Sequence, residues 1–429
     1  MSSKVKSSAT TGGESALVPK LRFPEFRNAS GWDNKPLSEV LSLVVRERPK
    51  PSKPYTGLGL RSHGKGTFLK EEEDPAKNAM DVLFEVKRDD LIVNITFAWE
   101  GAIAIAGLSD DGALVSHRFP TYAFKNGKAL PEFFRYRIID KQFVYNLGVI
   151  SPGGAGRNRV MSKTDFLKLK VWLPDITEQQ KIADCLNSAD ALIAAQGRKV
   201  EALRVHKKGL VQQLFPQEGE TQPRLRFSEF RGAGEWKENT LASVAKFFKG
   251  KGISKADIQA DGSRECIRYG ELYTRYGEVI DAVYSRTNVS ESELFLSKIN
   301  DVIIPASGET KIDIAKTSCV MRENVALGGD LNVIRTAQNG IFLSYYLNGP
   351  KRMDIAKVAQ GDTVVHLYPS QLEKLKVRLP SAPEQQRIAD CLTSLDDLIN
   401  AESKKLDTLK THKKGLMQKL FPQVGETDA

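Results

Sequence analysis

The chain contains "HKKGLVQQLFPQEGET", ending at Thr221, and then "HKKGLMQKLFPQVGET", ending at Thr427. This near-verbatim duplication constrains the fold more than any other feature, because two copies of one segment must solve the same packing problem. It is not isolated. "KLRFPEFRNASGW" (20–32) returns as "RLRFSEFRGAGEW" (224–236), so that Leu21, Arg22, Phe23, Glu25, Phe26, Arg27 and Trp32 correspond to Leu225, Arg226, Phe227, Glu229, Phe230, Arg231 and Trp236. "LPDITEQQKIADCLNSADALI" from Leu173 returns as "LPSAPEQQRIADCLTSLDDLI" from Leu379 and runs on into the first pair. Between these matched segments lie 33–172 and 237–378, similar in length and barely alike. A part kept the same performs one task twice; the divergent parts perform two different tasks of one kind.

Each matched Leu-Pro is followed by a residue able to cap a helix, Asp175 or Ser381, with Glu178 or Glu384 three positions on, which is capping-box spacing. Pro383 falls in the first turn, where its missing N–H costs nothing. The Phe-Pro pairs 215–216 and 421–422 set the far ends, since proline disfavours helix in the residue before it. Inside those limits the apolar residues step by fours and threes, or by their sum: Ile182, Leu186, Ala189, Ile193, Val200, Leu203, Leu210 and Leu214 in one copy, Ile388, Leu392, Leu395, Ile399, Leu406, Leu409, Leu416 and Leu420 in the other. The mean step of about 3.5 residues is that of a narrow coiled-coil seam, on helices roughly 55–60 Å long. A helix so long and otherwise charged overhangs an ordinary domain, so pairing of the two is expected over each lying along its own domain. An antiparallel arrangement leaves one domain near each end. Gln196, Glu402, Lys207 and Lys413 interrupt the seam, as residues that fix register do. Gly209 and Gly415 each cost about 1 kcal/mol relative to Ala, which points either to close backbone approach or to inheritance through the duplication.

At 429 residues the chain exceeds what one core organises. The segmentation expected is a disordered arm (1–19), a domain (20–172), a long helix (173–215), a linker (216–223), a second domain (224–378), a second long helix (379–421) and a tail (422–429). Both divergent stretches read as α+β: β-rich runs such as "DDLIVNITFAWEGAIAIAG" and "NDVIIPASGETKIDIAK", then helical "LPEFFRYRIID" and "IFLSYYLNG", then closing strands "KLKVWLP" and "KLKVRLP".

Lys and Arg outnumber Asp and Glu by 63 to 53, a net charge of +10, which suits a polyanionic partner. Basic and hydrogen-bonding residues gather in loops of both divergent stretches: Arg46, Arg48, Arg61, Lys65, Arg157, Arg159 and Lys163 in the first, Lys249, Lys251, Arg268, Tyr269, Ser307, Thr310 and Lys311 in the second. These types contact phosphates and base edges. Four cysteines without CxxC or metal-ligand spacing imply a reducing, cytoplasmic setting, and no metal site is expected. The first twenty residues lack the apolar core of a signal peptide, and no run is long enough to span a bilayer.

Two variable stretches separated by repeated Leu-Pro…Glu-Gln-Gln…Ile-Ala helices resemble the specificity subunit of type I restriction-modification enzymes, over nearly the whole chain from Lys20. The resemblance implies two target recognition domains, each reading half of a split, asymmetric double-stranded DNA sequence. It implies two long antiparallel helices between them, related by an internal pseudo-twofold duplication, that set the spacing and dock two methyltransferase subunits. In such complexes S-adenosylmethionine, ATP and Mg belong to the methyltransferase and restriction (motor) subunits, so this chain is expected to hold no cofactor and to be no enzyme. The residues agree: no Asn-Pro-Pro-aromatic tetrapeptide of an adenine methyltransferase occurs. "GLRSHGKG" from Gly59 approximates a P-loop but ends in Gly66 where Ser or Thr should hold magnesium. The competing readings are an enzyme acting on nucleic acid and a coiled-coil adaptor that does not bind DNA.

Overall fold

Two helices of 39 residues, α1 (Ile176–Leu214) and α2 (Ala382–Leu420), begin just after Asp175 and Ser381 and stop just before the Phe-Pro pairs. Each is about 58 Å long. The computed structural model describes residues 17–153, 159–361 and 364–422. They fall into two compact units, one made of residues through Ala195 together with those from Leu406 onward, the other of Gln196–Lys405. Each unit therefore contains one divergent domain, the first half of the helix that follows it, and the last part of the other helix.

The glutamates of the Glu-Gln-Gln motifs are engaged by arginines of the preceding repeat. Glu178 receives two hydrogen bonds from Arg22, at 2.8 and 2.6 Å, and Glu384 receives two from Arg226, both at 2.7 Å. All four side chains are nearly buried. Gln179 and Gln385, also buried, accept hydrogen bonds from the Leu130 and Asn339 backbone N–H groups, which lead into the helices Pro131–Arg137 and Gly340–Asn348. The repeated "RFPEFR" and "RFSEFR" segments are thus clips: Arg22 and Arg226 grip the start of the helix, and Lys181 and Arg387 lie over the rings of Phe23 and Phe227.

Trp32 and Trp236, the last residues of those repeats, receive the far end of the other helix. Phe421 meets the edge of Trp32 at 5.9 Å and lies 5.3 Å from Phe133; Phe215 meets Trp236 at 6.3 Å and Phe342 at 5.3 Å. Leu420 joins Ile182, Leu186, Phe133 and Phe166 in one core, with Leu416 packed against it. Leu214 joins Ile388, Leu392, Phe342 and Tyr346 in the other, with Leu210 packed against it. Of the remaining seam positions, Val200 and Ile399 are buried, and Ile193, Leu203, Leu406 and Leu409 are half-buried.

Within the second unit the helices run antiparallel, since Gln196 donates to Glu402 (2.6 Å) while Lys207, further along α1, pairs with Asp396, further back on α2 (2.7 Å). Lys199 also pairs with Glu402, holding that carboxylate below the usual range. The polar residues that interrupt the stripe therefore find one another. Tyr345 donates to Asp396 (2.5 Å), and Lys207 sits 5.1 Å over its ring. In the first unit Tyr136 donates to Asp190 (2.8 Å), Lys413 pairs with Asp190 (2.5 Å) and Lys413 lies 5.0 Å over the Tyr136 ring. One Tyr-Asp-Lys arrangement has been built twice.

The divergent domains share a plan that their sequences conceal. In the first, β1 (Leu41–Val44), β2 (Leu91–Val93), β3 (Ile103–Ile105) and β4 (Thr121–Phe124) lie in the order β1-β4-β2-β3. In the second, β5 (Ala245–Lys249), β6 (Asp301–Pro305), β7 (Ser318–Val320) and β8 (Leu331–Thr336) lie in the order β5-β8-β6-β7, extended by Val279–Ile280. At the foot of each central strand a residue with positive φ, Asp89 or Asn300, precedes a buried aspartate. Asp90 is held by Arg46 from beyond β1, whereas Asp301 is held by Arg335 from β8. The same buried charge is compensated from different strands, as a buried carboxylate must be. Beside these sheets the first domain carries a five-stranded sheet, including Tyr55–Leu60 and Thr67–Glu73, and the second a three-stranded one built on Arg264–Ile267. The P-loop-like segment at Gly59 closes the hairpin between Tyr55–Leu60 and Thr67–Glu73, with no helix following it.

Candidate nucleic-acid interfaces

In both units the chain leaves the central strand into an irregular loop. After β2, the Asn94 side chain accepts the Thr96 N–H (3.1 Å), its carbonyl accepts the Phe97 N–H, and Trp99 Nε1 donates to the Thr96 carbonyl (3.2 Å). Gly101, at φ 73°, ends the short turn Ala98–Glu100, a conformation that glycine adopts without Cβ strain. Three neighbours brace this loop. His63 and Gly64 donate to the carbonyls of Glu100 and Gly101, Ile95 donates to Arg118, and Met161 donates to Ile95. The side chains left outward on the loop and its braces are His63, Lys65, Phe97 and Arg118. Phe97 is 45% exposed, an uncommon placement for a phenylalanine on a loop so thoroughly hydrogen-bonded. Arg159 lies over the Trp99 ring at 5.5 Å, and Lys163 is exposed at the start of the next helix, Lys163–Lys168.

Several of the residues expected at this surface have partners within the domain. Arg46 makes two hydrogen bonds to buried Asp90, and Lys87, with Arg48, holds the Glu85 carboxyl below its ordinary range. Arg46 is thereby committed to an internal carboxylate, whereas Arg48 stays exposed beside Glu85. Arg61 is exposed but donates to the Thr67 carbonyl and lies over Phe68. Arg157 falls outside the described residues.

The loop after β6 stands in the corresponding place. Ser307–Gly308 pairs with Val365–His366, and Tyr273 Oη donates to the Ser307 carbonyl (3.2 Å). A Cβ on Gly308 would come within about 3.0 Å of that hydroxyl, so a larger residue there would have to push the Tyr273 ring aside. Burial keeps the Tyr273 phenol protonated by pushing its pKa up. Thr310 and Asp313 bond each other through side chain and backbone, leaving Lys311 and Ile312 exposed at the tip. Tyr269 meets Tyr273 edge-on at 6.2 Å, and His366 stacks with Tyr368 at 6.2 Å; Tyr269, His366 and Tyr368 are all exposed. The Lys251 N–H donates to Leu327, Gly328 donates to Ile267, and Ala306 donates to Asp330, which ties the segments bearing Lys251 and Arg268 to this loop. Tyr269, Ser307, Thr310 and Lys311 are thus brought together; Lys249 is exposed at the end of β5. His63, Phe97, Arg118, His366 and Tyr368 escaped the sequence reading, because the turns and braces that leave these side chains outward are not visible in residue spacing.

The family model described as "Type I restriction modification DNA specificity domain" matches residues 29–204 and again 233–411. The chain belongs to this family. Two curated Methanocaldococcus jannaschii proteins are similar to it: the putative type I restriction enzyme MjaX specificity subunit, 25% identical over 61% of this chain, and the MjaVIII specificity subunit, 23% identical over 61%. The matches span 60% and 63% of those proteins' own lengths. The fold is like that of a type I restriction-modification S subunit from M. genitalium, with TM-score 0.58, 15% identity, and 95% of this chain and 100% of that one covered. It is also like a chain from a structure of the type I R-M system, with TM-score 0.54, 18% identity, and 91% and 98% covered. Both repeats of the specificity domain thus include one irregular loop after the central strand and most of one long helix. Among the described residues no group of His, Cys, Asp and Glu is placed to hold a metal ion. No helix among them is long and apolar enough to cross a membrane.

Proposed function

We propose that the chain is the DNA specificity subunit of a type I restriction-modification complex, each unit reading one half of a bipartite, asymmetric duplex target. The observation that carries this reading is that one specificity domain occurs twice on one scaffold, with unlike loops at the same topological position. Equal scaffolds bind one kind of ligand; unlike loops read different sequences in it. In the first unit His63, Lys65, Phe97, Arg118, Arg159 and Lys163 face the DNA. In the second, Lys251, Arg268, Tyr269, Ser307, Thr310 and Lys311 do so, with His366 and Tyr368. Lysines and arginines take phosphates, and the aromatic and amide or hydroxyl groups read the groove. The two long helices set the number of base pairs between the half-sites.

The chain contributes address and scaffold without catalysing a reaction, in the cytoplasm where host DNA lies. Two methyltransferase subunits supply S-adenosylmethionine chemistry, and restriction subunits supply ATP- and Mg-dependent cleavage. The test is an exchange of residues 33–172 for those of another family member, keeping Phe133 and Tyr136, which face α2. Mapping methylated adenines genome-wide should show one half-site changed and the other untouched. A change in both halves would refute independent reading, and methyl transfer by the purified chain alone would refute the scaffold role.

A further inference from the structure

Where β5 ends the chain runs Lys249-Gly250-Lys251-Gly252-Ile253, and the last two of these residues have positive φ, 64° and 60°. Glycine takes that conformation freely, but a β-branched residue takes it only under strain. Packing imposes it here. The Ile253 side chain is buried with Cys266 and Ala326, the Lys251 N–H donates to the Leu327 carbonyl, and the Gly252 carbonyl accepts the Gly329 N–H. A Cβ on Gly250 would collide with the carbonyls of Leu327 and Gly328. Backbone strain that the surrounding fold holds in place is characteristic of ligand clamps. The turn also leaves donors open: the N–H groups of Gly252 and Ile253 meet no acceptor among the described residues.

Gly328 and Gly329 lie between this turn and Arg268. A Cβ on Gly329 would touch the Gly252 carbonyl at 3.5 Å, and one on Gly328 would touch Arg268 at 3.6 Å. Of the eight arginines in 237–378, Arg268 alone makes no side-chain hydrogen bond or ion pair among the described residues. Yet it is half-buried. A guanidinium keeps its charge and has only donors to offer, so one partly withdrawn from water calls for an acceptor. Lys251 is exposed and spends one donor on the Ser292 carbonyl at 3.1 Å, which leaves the rest of its ammonium open. Asp330, exposed just beyond Gly329, forms an ion pair with neither cation. The first unit has no such arrangement: after β1 the chain passes through Val45 and Arg46 straight into the strand Glu47–Pro49, without a glycine, and Arg46 is taken by Asp90.

Open backbone N–H groups, bare glycines that admit close approach and cations without carboxylates suit a ligand that presents acceptors only. We propose that the turn at 250–253, Gly328, Gly329 and Arg268 form a ready-made cradle for one backbone phosphate of the DNA. It fixes the register of the second half-site and reads no base. This rests on the specificity-subunit reading and assigns positioning to the cradle, apart from the loop that carries Ser307 and Thr310.

The test uses the full chain assembled with its modification subunits, on a duplex bearing the genome-mapped target, with neutral methylphosphonates placed one at a time along the second half-site. For the wild type, one position should weaken binding about tenfold or more. In Arg268→Ala that position should fall silent, overall affinity should drop by a similar factor, and the salt slope should lessen by about one. Base preferences and the thermal unfolding of the free chain should stay unchanged. Arg268→Lys should restore the slope without the full affinity. Lys298→Ala, which removes a charge at the foot of β6, is the control and should alter none of these. Relaxed preference at one base pair in Arg268→Ala would make Arg268 a base reader and overturn the proposal. So would an unchanged methylphosphonate profile, or Arg268-dependent binding of inorganic phosphate or ATP with no methylphosphonate affected. A wild-type assembly that does not bind the mapped duplex removes the specificity-subunit reading instead.

Discussion

Glu178→Ala should destabilise the first unit far more than one surface carboxylate would. Glu178 and Arg22 are 2% and 7% exposed at their side chains and share two charge-assisted hydrogen bonds. Removing one partner of such a pair leaves a buried charge and typically costs about 3–5 kcal/mol. Arg22 also donates to the carbonyls of Ala29 and Ser30, both at 2.8 Å, and these remain in the variant. The loss therefore belongs at the lower end, about 3 kcal/mol. For a unit of this size that is a fall in Tm of about 6–12 °C. Differential scanning calorimetry on the full chain reads it, with Glu384→Ala as the matched change in the second unit, where Arg226 has the same geometry. The double variant Arg22→Met/Glu178→Leu should recover most of the loss, since replacing both members of a buried pair removes the orphaned charge. A shift below about 1 kcal/mol for Glu178→Ala, or a double variant as damaged as the single one, would refute the claim that this clip holds the domain to its helix.

Gly209→Ala and Gly415→Ala should each stabilise the free chain by up to about 1 kcal/mol, since neither Cβ meets a neighbour; loss of stability on chemical denaturation would show a constraint absent from this structure. Phe97→Ala and Tyr368→Ala should each weaken specific DNA binding about 5- to 100-fold with little change in the salt slope, whereas Lys65→Ala should lower that slope by about one phosphate contact; equilibrium titrations across a salt series separate the two. Burial pushes the thiols of Cys266 and Cys319 up to about 11 and about 12. Because an unfolded thiol ionises near pH 8.5, these two sites stabilise the fold fully below that pH, and their contribution declines as pH rises through the folded values. Iodoacetamide at pH 8 should accordingly spare both until the chain is unfolded, as peptide mapping would show.

The seam was legible because periodicity is a local property: alternating steps of three and four and the Phe-Pro stops suffice to draw 39-residue helices. Even the interrupting Gln196, Glu402, Lys207 and Lys413 could be marked from their places in the stripe. The loops proposed to face DNA were legible only in part. Lys65 and Arg159 border the loop after β2, but Arg46 looks equally available in sequence and is spent on Asp90, because nothing local announces that Asp90 will be buried. Phe97 reads as core by composition and is exposed by the turn that carries it.

From the sequence alone come the duplication, the lengths of the helices and the kinds of residue that divide their faces, since each follows from short-range spacing and backbone stereochemistry. Which Phe-Pro end fills which tryptophan site does not. Trp32 and Trp236 sit in nearly identical segments, as do Phe215 and Phe421, so no local preference distinguishes the partners. Tertiary structure assigns Phe421 to Trp32 and Phe215 to Trp236. A helix of 39 residues cannot fold its last turn back onto its own first turn, so within each unit the end of the other helix fills that place.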